Sequence, residues 1–335
     1  MKVVIILKHR AAHWTAPDWF LEKLRAEFSD VEFVYLRSYD NIEQDIRDAD
    51  VIVTSSLRPE QVRLAPRLRW IHSTTAAVHQ LLIPEIVNSD IILTNARAVH
   101  GLPVAEHVLA LMFALAKRLP AAVRAQTRHE WGKEDLGGAD SPQELRDATL
   151  VLIGVGSIGH EVARVAATLG MRVFAVRANP KKGVDWLPDG DPERAQHRVF
   201  GPKDLHRALK DGDFVVVSAP LTGATDKLID REALSQIKPD AFLINVARGA
   251  LVDEKALVEV LQQKRIAGAA LDVFETEPLP ENSPLWDLDN VLITPHQAGF
   301  ARKLWQRQYK LLSDNLRRYR AGMPLLGTVD KKAGY

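Results

Sequence analysis

The sequence predicts an α/β protein with two Rossmann-like or flavodoxin-like domains, each built around a parallel sheet. Three observations predict this class. The chain has 335 residues, about two domains at roughly 150 residues each. Short apolar runs alternate with helical patterns twice along the chain, as expected for strands separated by crossover helices. A glycine-rich turn follows the first apolar run of the second series, between that run and a helical pattern.

The first series predicts five strands and a helix between the first two. The strands are expected at residues 2–8, 31–36, 51–56, 69–74 and 91–95, and the helix at 17–28. Continuous apolar strands separated by helices indicate a parallel sheet covered on both faces. No helix at the end of this series covers one flank, so the amphipathic pattern over 301–320 is expected to return and supply it. We therefore expect a discontinuous substrate-binding domain, flavodoxin-like, of residues 1–98 plus 299–335, and a dinucleotide-binding Rossmann domain of residues 99–298.

A strongly apolar helix follows the first series. Pro103 suits its first turn, and its apolar run from Val108 to Ala116 has nine residues, about half of a membrane span. Such a helix is expected to be buried against another domain or a second subunit, which predicts a homodimer. His107 within it is expected to be packed and hydrogen-bonded. Residues 121–146 are polar and predict an excursion before the next sheet.

The second series predicts six strands, as in a doubly wound sheet. They are expected at residues 149–156, 172–176, 214–220, 241–247, 268–274 and 290–295.

Composition excludes several classes of function. The 44 basic and 43 acidic side chains balance to a net charge of +1, so we expect no nucleic-acid or membrane partner. The chain has no cysteine, which excludes disulfides and thiolate chemistry. The apolar run at the N-terminus, Val3 to Leu7, is too short for a signal peptide, so a cytoplasmic location is expected. His9 and His13 are four residues apart without acidic or sulfur ligands nearby, and no metal site is expected.

The motif GVGSIG has the spacing of a dinucleotide-binding loop. Gly154 would allow a tight turn, Gly156 the close approach of a pyrophosphate, and Gly159 close packing of helix on strand, while the helix N-terminus would stabilise the anion. The strand–loop–helix context favours this interpretation over a glycine-rich turn that only shapes the fold.

The second strand of this unit ends in Arg177, where NAD-binding proteins usually carry an acidic residue. A carboxylate would repel a ribose 2′-phosphate, whereas a guanidinium can bind it with two hydrogen bonds. Lys181 and Lys182 follow closely. Arg177 therefore predicts NADP as cofactor, with NAD possible, and the alternative is a solvated arginine on a loop.

Three polar residues follow later strands of the second sheet and together suit reduction of a 2-keto acid. His296 is the natural proton donor. Glu277 would hydrogen-bond the other ring nitrogen and orient the imidazole, and Arg248 would bind the carboxylate and polarise the carbonyl. Taken singly, each has a plainer interpretation: a surface arginine, a solvated loop acid, and a histidine that caps the last helix.

Six segments in the same order along the chain resemble the D-isomer-specific 2-hydroxyacid dehydrogenase family, which includes glyoxylate/hydroxypyruvate reductases. They are AEHVLAL, GVGSIG, APLTGATDKLI, NVARGALVDEKAL, ALDVFETEPLP and ITPHQAG, between about residues 50 and 300. The resemblance implies a reductase of small 2-keto acids with Arg248, Glu277 and His296 as its catalytic residues, and Asp272 against the nicotinamide amide. It also implies cofactor contacts at Ser157, Ile158, Pro220, Thr225, Val246 and Ala247. Thr225 has the alternative of a helix N-cap.

The segment STTAAVHQL aligns with the family's loop for the substrate carboxylate. Backbone N–H groups of Ala76, Ala77 and Val78 would bind that carboxylate. Ala77 replaces the usual glycine and His79 the usual aspartate. These departures leave the backbone donors in place, and His79 is expected to be a structural substitution more than an extra catalytic group.

Two other kinds of function compete with a 2-keto acid reductase. Formate and phosphoglycerate dehydrogenases are related enzymes, but the former lack a glutamate partner such as Glu277. A corepressor-like protein would bind dinucleotide with the same fold and recruit protein partners. It retains the three catalytic residues, so only a turnover assay separates it from an enzyme.

Overall fold

The computed structural model describes residues 1–7, 15–133 and 141–334. It contains two compact units, Met1–His100 with Phe300–Tyr335, and Gly101–Gly299. Both are α/β units with parallel sheets, so the predicted fold class is confirmed. His9 and His13 lie outside the described residues.

The first unit contains a five-stranded parallel sheet with the order β2-β1-β3-β4-β5. Its strands are β1 (Lys2–Ile6), β2 (Glu32–Leu36), β3 (Val51–Val53), β4 (Trp70–His72) and β5 (Ile92–Thr94). Its helices are α1 (Asp18–Glu27), α2 (Glu43–Ile46), α3 (Pro59–Arg63), α4 (Pro84–Val87) and the C-terminal α11 (Leu304–Arg320), and α5 (Arg97–Ala116) begins here and continues into the second unit. The strands are shorter than predicted because their last residues turn into the loops at the sheet edge.

The C-terminal helix packs onto the first unit, as the sequence predicts. Leu312 and Leu316 of α11 are buried in the same core as Phe20 of α1. The rings of Phe20 and Trp305 meet edge to face at 5.3 Å. Ser313 of α11 also donates a 2.6 Å hydrogen bond to Glu27 of α1. A flank of the sheet that local sequence leaves uncovered is thus covered by residues almost 300 positions away.

The second unit contains a seven-stranded parallel sheet with the order β12-β11-β10-β9-β6-β7-β8. Its strands are β6 (Thr149–Ile153), β7 (Arg172–Val176), β8 (Arg198–Phe200), β9 (Phe214–Val217), β10 (Phe242–Asn245), β11 (Gly268–Leu271) and β12 (Val291–Ile293). Its helices are α6 (Leu119–Thr127), α7 (Ser157–Thr168), α8 (Leu205–Leu209), α9 (Arg231–Ser235) and α10 (Glu254–Gln262). The prediction of six strands was wrong, because the edge strand β8 has only three residues and no apolar run to mark it.

Helix α5 differs from its prediction in two respects. It begins at Arg97, so Pro103 lies inside the helix and not in its first turn. The run Val108–Ala116 packs mainly into the core of this chain's own second unit. By length and composition, α5 is the one helix among the described residues that could cross a membrane, and 56% of its most apolar window is buried. Burial on this scale is typical of a core helix.

The predicted excursion over residues 121–146 was also partly wrong. Arg118 has a φ of 56° and turns the chain directly into α6, with Pro120 in the first turn of that helix. Residues 134–140, which include the Gly-Gly pair, lie outside the described residues.

Candidate active site

The predicted site residues of the second unit follow strands at one edge of its sheet. Across the sheet, the order is Arg177 after β7, the glycine loop after β6, Pro220 after β9, Arg248 after β10, Asp272 after β11 and His296 after β12. Strands lie about 4.8 Å apart, so this row spans about 24 Å. The strand order reverses next to β6, and ligands of open α/β sheets bind at such a reversal.

The glycine loop between β6 and α7 has the geometry of an anion cradle. Gly154 has a φ of 93°, and a Cβ there would lie 2.6 Å from the backbone of Ala219. A Cβ on Gly159 would lie 2.2 Å from the Gly154 carbonyl oxygen. A Cβ on Gly156 would meet nothing within 4 Å, and no side chain caps α7 at that residue. The loop therefore has tight packing behind it and open space in front, which fits a dinucleotide pyrophosphate at the N-terminus of α7.

Arg177 is buried and paired with a carboxylate. Its side chain is 8% exposed, so the solvated alternative is wrong. Its Nη1 donates to Oδ1 of Asp185 at 2.9 Å and lies 3.4 Å from the Gly183 carbonyl oxygen. Its Nη2 lies 3.5 Å from the carbonyl oxygen of Val155, inside the glycine loop. The guanidinium is thus beside the expected cofactor site but is already paired with a carboxylate.

The loops after β9 and β10 are held by local hydrogen bonds. The hydroxyl of Thr225 donates to the carbonyl oxygen of Pro220 at 2.7 Å, so it closes this loop and caps no helix. Val246 is buried, and Asn245 at the end of β10 accepts a 3.1 Å hydrogen bond from the N–H of Ala247. Both loops are therefore defined in shape before any ligand binds.

Arg248 is positioned by the same asparagine and by a close backbone contact. Asn245 donates from Nδ2 to the Arg248 carbonyl oxygen at 2.9 Å. A Cβ on Gly249 would lie 1.9 Å from the carbonyl carbon of Phe274, so only glycine lets this turn pack against the segment that leads to Glu277. Burial lowers the pKa of the Arg248 guanidinium, and the nearby Glu277 carboxylate opposes that shift. Arginine stays protonated at neutral pH, so the site keeps a partly buried positive charge.

His296 and Glu277 form a direct pair. Nδ1 of His296 lies 2.6 Å from Oε2 of Glu277, and Oε1 of Glu277 accepts a 3.1 Å hydrogen bond from the N–H of Phe274. A carboxylate can only accept here, so Nδ1 carries the hydrogen and Nε2 remains for a second partner. The imidazole is 47% exposed, and the last helix begins after Lys303 without a side-chain cap, so the alternative of a capping histidine is wrong.

Asp272 organises the loop that carries His296. It is 1% exposed, and its two oxygens accept hydrogen bonds from Thr294 Oγ1 at 2.6 Å, the Gln297 N–H at 2.9 Å and the Ala298 N–H at 3.0 Å. His107 of α5 lies 3.1 Å from Thr294 Oγ1, which confirms that this histidine is packed and hydrogen-bonded. Contact of Asp272 with the nicotinamide amide stays a prediction.

In the first unit, the predicted substrate loop follows β4. Thr75 Oγ1 donates to the carbonyl oxygen of Ala77 at 2.7 Å, and Asn95 Nδ2 donates to that of Ala76 at 2.9 Å. Val78 is buried. Within the described part of the chain, these bonds use carbonyl groups and leave the N–H groups of Ala76, Ala77 and Val78 without a partner. The loop therefore presents backbone donors, as a carboxylate site requires.

Sequence reasoning missed three residues with a clear place in this arrangement. Asn245 and Thr294 are polar residues at the ends of apolar strands, a signal that the pattern offered. Asp185 had no local signal in the sequence. It is recognisable only once Arg177 is known to be buried, because a buried guanidinium requires a carboxylate partner. His79 begins a short 3-10 turn, His79–Leu81, and its predicted structural role was not tested.

Comparisons with known proteins agree with this geometry. Residues 109–298 match the family model for the NAD-binding domain of D-isomer specific 2-hydroxyacid dehydrogenases. A glyoxylate reductase of Thermofilum pendens is 33% identical over 83% of this chain and 80% of that protein. A D-3-phosphoglycerate dehydrogenase of Methanocaldococcus jannaschii is 32% identical over 90% of this chain, which spans only 55% of that protein's length.

A solved structure extends the likeness to both units. The D-isomer specific 2-hydroxyacid dehydrogenase of Xanthobacter autotrophicus, in complex with NADPH and MES, is 28% identical with a TM-score of 0.84, and the match covers 99% of each chain. Sequence, fold and site geometry lead to the same conclusion. This chain belongs to the D-isomer specific 2-hydroxyacid dehydrogenase family.

Proposed function

We propose that this protein reduces small 2-keto acids to D-2-hydroxy acids with a nicotinamide cofactor, preferably NADPH. The observation that carries the proposal is the row of residues along one sheet edge. A partly buried cation, Arg248, and a histidine–carboxylate pair, His296 and Glu277, lie in the same row as a glycine loop suited to a pyrophosphate.

Each of the three polar residues has one chemical task in the proposed reaction. Reduced nicotinamide, when bound, supplies the hydride that the carbonyl carbon gains. His296 gives a proton from Nε2 to the carbonyl oxygen, because Nδ1 is engaged with Glu277. Glu277 orients the ring and stabilises the imidazolium. Arg248 binds the substrate carboxylate and polarises the carbonyl.

Small unbranched 2-keto acids are the proposed substrates, with glyoxylate and hydroxypyruvate first. The relatives named above act on glyoxylate and on phosphoglycerate, so a phosphorylated keto acid belongs in the same screen. The decisive assay follows the loss of dihydronicotinamide absorbance with glyoxylate, hydroxypyruvate, pyruvate, phenylpyruvate and phosphohydroxypyruvate. Tight cofactor binding without turnover of any acid would overturn the proposal in favour of a dinucleotide-binding interaction protein.

The preference for NADPH rests on the guanidinium of Arg177 beside the glycine loop. A charge-assisted hydrogen bond contributes about 1.5–3 kcal/mol, so kcat/KM should favour NADPH over NADH by roughly 10- to 100-fold. Arg177→Asp should weaken NADPH use strongly and spare NADH use. Equal use of both cofactors by the unmodified enzyme would refute this part of the proposal.

We also propose a homodimer that works in the cytoplasm, where reduced nicotinamide cofactors are available. The support is an exposed apolar set on α5 and α6, which shares only Phe113 with the mainly internal run over 108–116. This set comprises Leu102, Phe113, Leu119 and Val123. Light scattering at micromolar concentration tests the dimer, and a monomer mass would exclude it. Cell fractionation tests the location.

A further inference from the structure

Asp185 is the acidic partner of the arginine expected to choose the cofactor. Its carboxylate lies 2.9 Å from Arg177 Nη1, and its side chain is 36% exposed. The same guanidinium reaches the Val155 carbonyl oxygen of the glycine loop. The Arg177–Asp185 ion pair therefore lies where the adenosine ribose of a dinucleotide is expected in this fold.

Asp185 is held in place by its surroundings. The next residue, Trp186, is 3% exposed and meets His197 edge to face at 5.9 Å. The Asp185 carbonyl oxygen lies 3.0 Å from Nε2 of His160 on α7, the helix that follows the glycine loop. Gly183, with a φ of 61°, turns the chain so that its own carbonyl oxygen also faces Arg177. These contacts make the carboxylate a fixed part of the site.

We propose that Asp185 is a specificity-determining residue that sets how strongly this protein prefers NADPH over NADH. The inference rests on the proposed dinucleotide site and concerns only the ribose end of the cofactor. The carboxylate occupies Nη1 of Arg177 and so competes with a 2′-phosphate for the Nη1–Nη2 edge of the guanidinium, and it repels the phosphate charge. The same carboxylate offers a hydrogen-bond acceptor to an unphosphorylated ribose.

The charge balance around the pair supports a moderate preference. Asp185 neutralises the buried charge of Arg177, and the additional positive charges are those of Lys181 and Lys182, both exposed on a short 3-10 turn. Exposed charges contribute less than buried ones because solvent screens them. The unmodified protein should therefore use both cofactors. Its kcat/KM should favour NADPH over NADH about tenfold, which is the lower end of the range expected from Arg177 alone.

The test measures binding of two nucleotide fragments by isothermal titration calorimetry, without any turnover. Adenosine 2′,5′-bisphosphate carries the 2′-phosphate, and adenosine 5′-monophosphate lacks it. Asp185→Asn should raise the affinity for the bisphosphate about tenfold, because the repulsion is removed and an amide oxygen binds Nη1 less strongly than a carboxylate does. It should leave the affinity for the monophosphate unchanged or slightly lower.

Asp189→Asn is the matched control. Asp189 lies four residues away, is fully exposed and pairs with Arg194, so the substitution makes the same change in net charge outside the site. It should leave both affinities unchanged. Asp185→Ser is a second variant that also removes the carboxylate, in case the amide at this position impairs folding. A thermal melt of each variant checks that the fold is retained.

The outcomes separate this inference from the proposed function. If the unmodified protein binds neither fragment, the dinucleotide site itself is refuted. If it binds both, and the ratio of affinities is the same in Asp185→Asn, Asp185→Ser and the unmodified protein, only the role of Asp185 is overturned. An equal gain in Asp185→Asn and Asp189→Asn would also overturn it, since that result reports net charge alone.

Discussion

Gly154 and Gly156 are two residues apart, yet alanine should lower stability much more at Gly154 than at Gly156. A Cβ on Gly156 would meet nothing within 4 Å, so Gly156→Ala costs only the helix-capping preference of glycine, about 1 kcal/mol. A Cβ on Gly154 would lie 2.6 Å from backbone atoms at a φ of 93°, which costs about 3 kcal/mol or more. Each kcal/mol shifts Tm by about 2–4 °C in a domain of this size. Gly154→Ala should therefore melt about 6–12 °C lower, and Gly156→Ala about 2–4 °C lower.

Gly156→Ala should lower stability only slightly, but it should weaken cofactor binding directly. The added methyl of Gly156→Ala occupies the open side of the loop, where the pyrophosphate would approach. Forcing one extra methyl into a close contact costs about 1–3 kcal/mol, so the Kd for NADPH should rise by about 10- to 100-fold in a protein that remains folded. Differential scanning fluorimetry and calorimetric titration with NADPH measure the two quantities on the same samples.

Gly190→Ala is the control for this prediction. Gly190 has a φ of 83° and open space around its Cβ position, so alanine adds backbone strain at a residue outside the glycine loop. It should lower Tm slightly and leave the Kd for NADPH unchanged. If Gly156→Ala binds NADPH as tightly as the unmodified protein, the pyrophosphate does not approach this glycine. If Gly154→Ala melts at the unmodified temperature, the close contact with Ala219 is not what requires glycine.

Three further predictions concern single side chains. His296→Ala should leave cofactor binding nearly intact and lower kcat by about 10²–10⁴, and retention of most activity would exclude it as proton donor. Glu277→Gln should shift the pH profile of reduction towards acid, because an amide stabilises a protonated imidazole less than a carboxylate does. An unchanged profile would argue against the pair. Burial lowers the pKa of His72 to about 4, from about 6.5 in the unfolded chain. The neutral imidazole therefore contributes fully to the free energy of unfolding above pH 6.5, and this contribution is lost as the pH falls to 4. That contribution is roughly 3 kcal/mol. Urea unfolding should give a lower free energy of unfolding at pH 4.5 than at pH 7, and the difference should be smaller in His72→Phe. An equal difference in the unmodified protein and in His72→Phe would show that His72 does not cause it.

The elements that differ from prediction have weak or conflicting local signals. The edge strand β8, Arg198–Phe200, has only two adjacent apolar residues between polar and glycine neighbours, so its local signal is weak. Helix α5 continues through Pro103, which reads locally as a helix start because proline suits a first turn. Helix α6 is short and polar on one side, and it follows α5 after a turn that a single left-handed residue, Arg118, makes possible. In each case the neighbouring elements stabilise a conformation that the segment alone does not specify.

The sequence by itself determined the fold class, the glycine loop and the family. These features depend on local periodicity and on spacing within short motifs, and both can be read along the chain. It also nominated Arg248, Glu277 and His296, because polar residues a few positions after apolar strand patterns are expected near a sheet edge.

Only the tertiary structure decided the partners of the buried charges. The predicted partners His296 and Glu277 do lie together across 19 residues, but Arg177 meets an aspartate that the sequence did not single out. Asp272 holds the loop that carries His296, because its two carboxylate oxygens accept hydrogen bonds from backbone N–H groups of that loop and from Thr294. The reason is physical: apolar periodicity is a local property, whereas the partner of a buried charge depends on which loops the strand order brings within about 3 Å of each other.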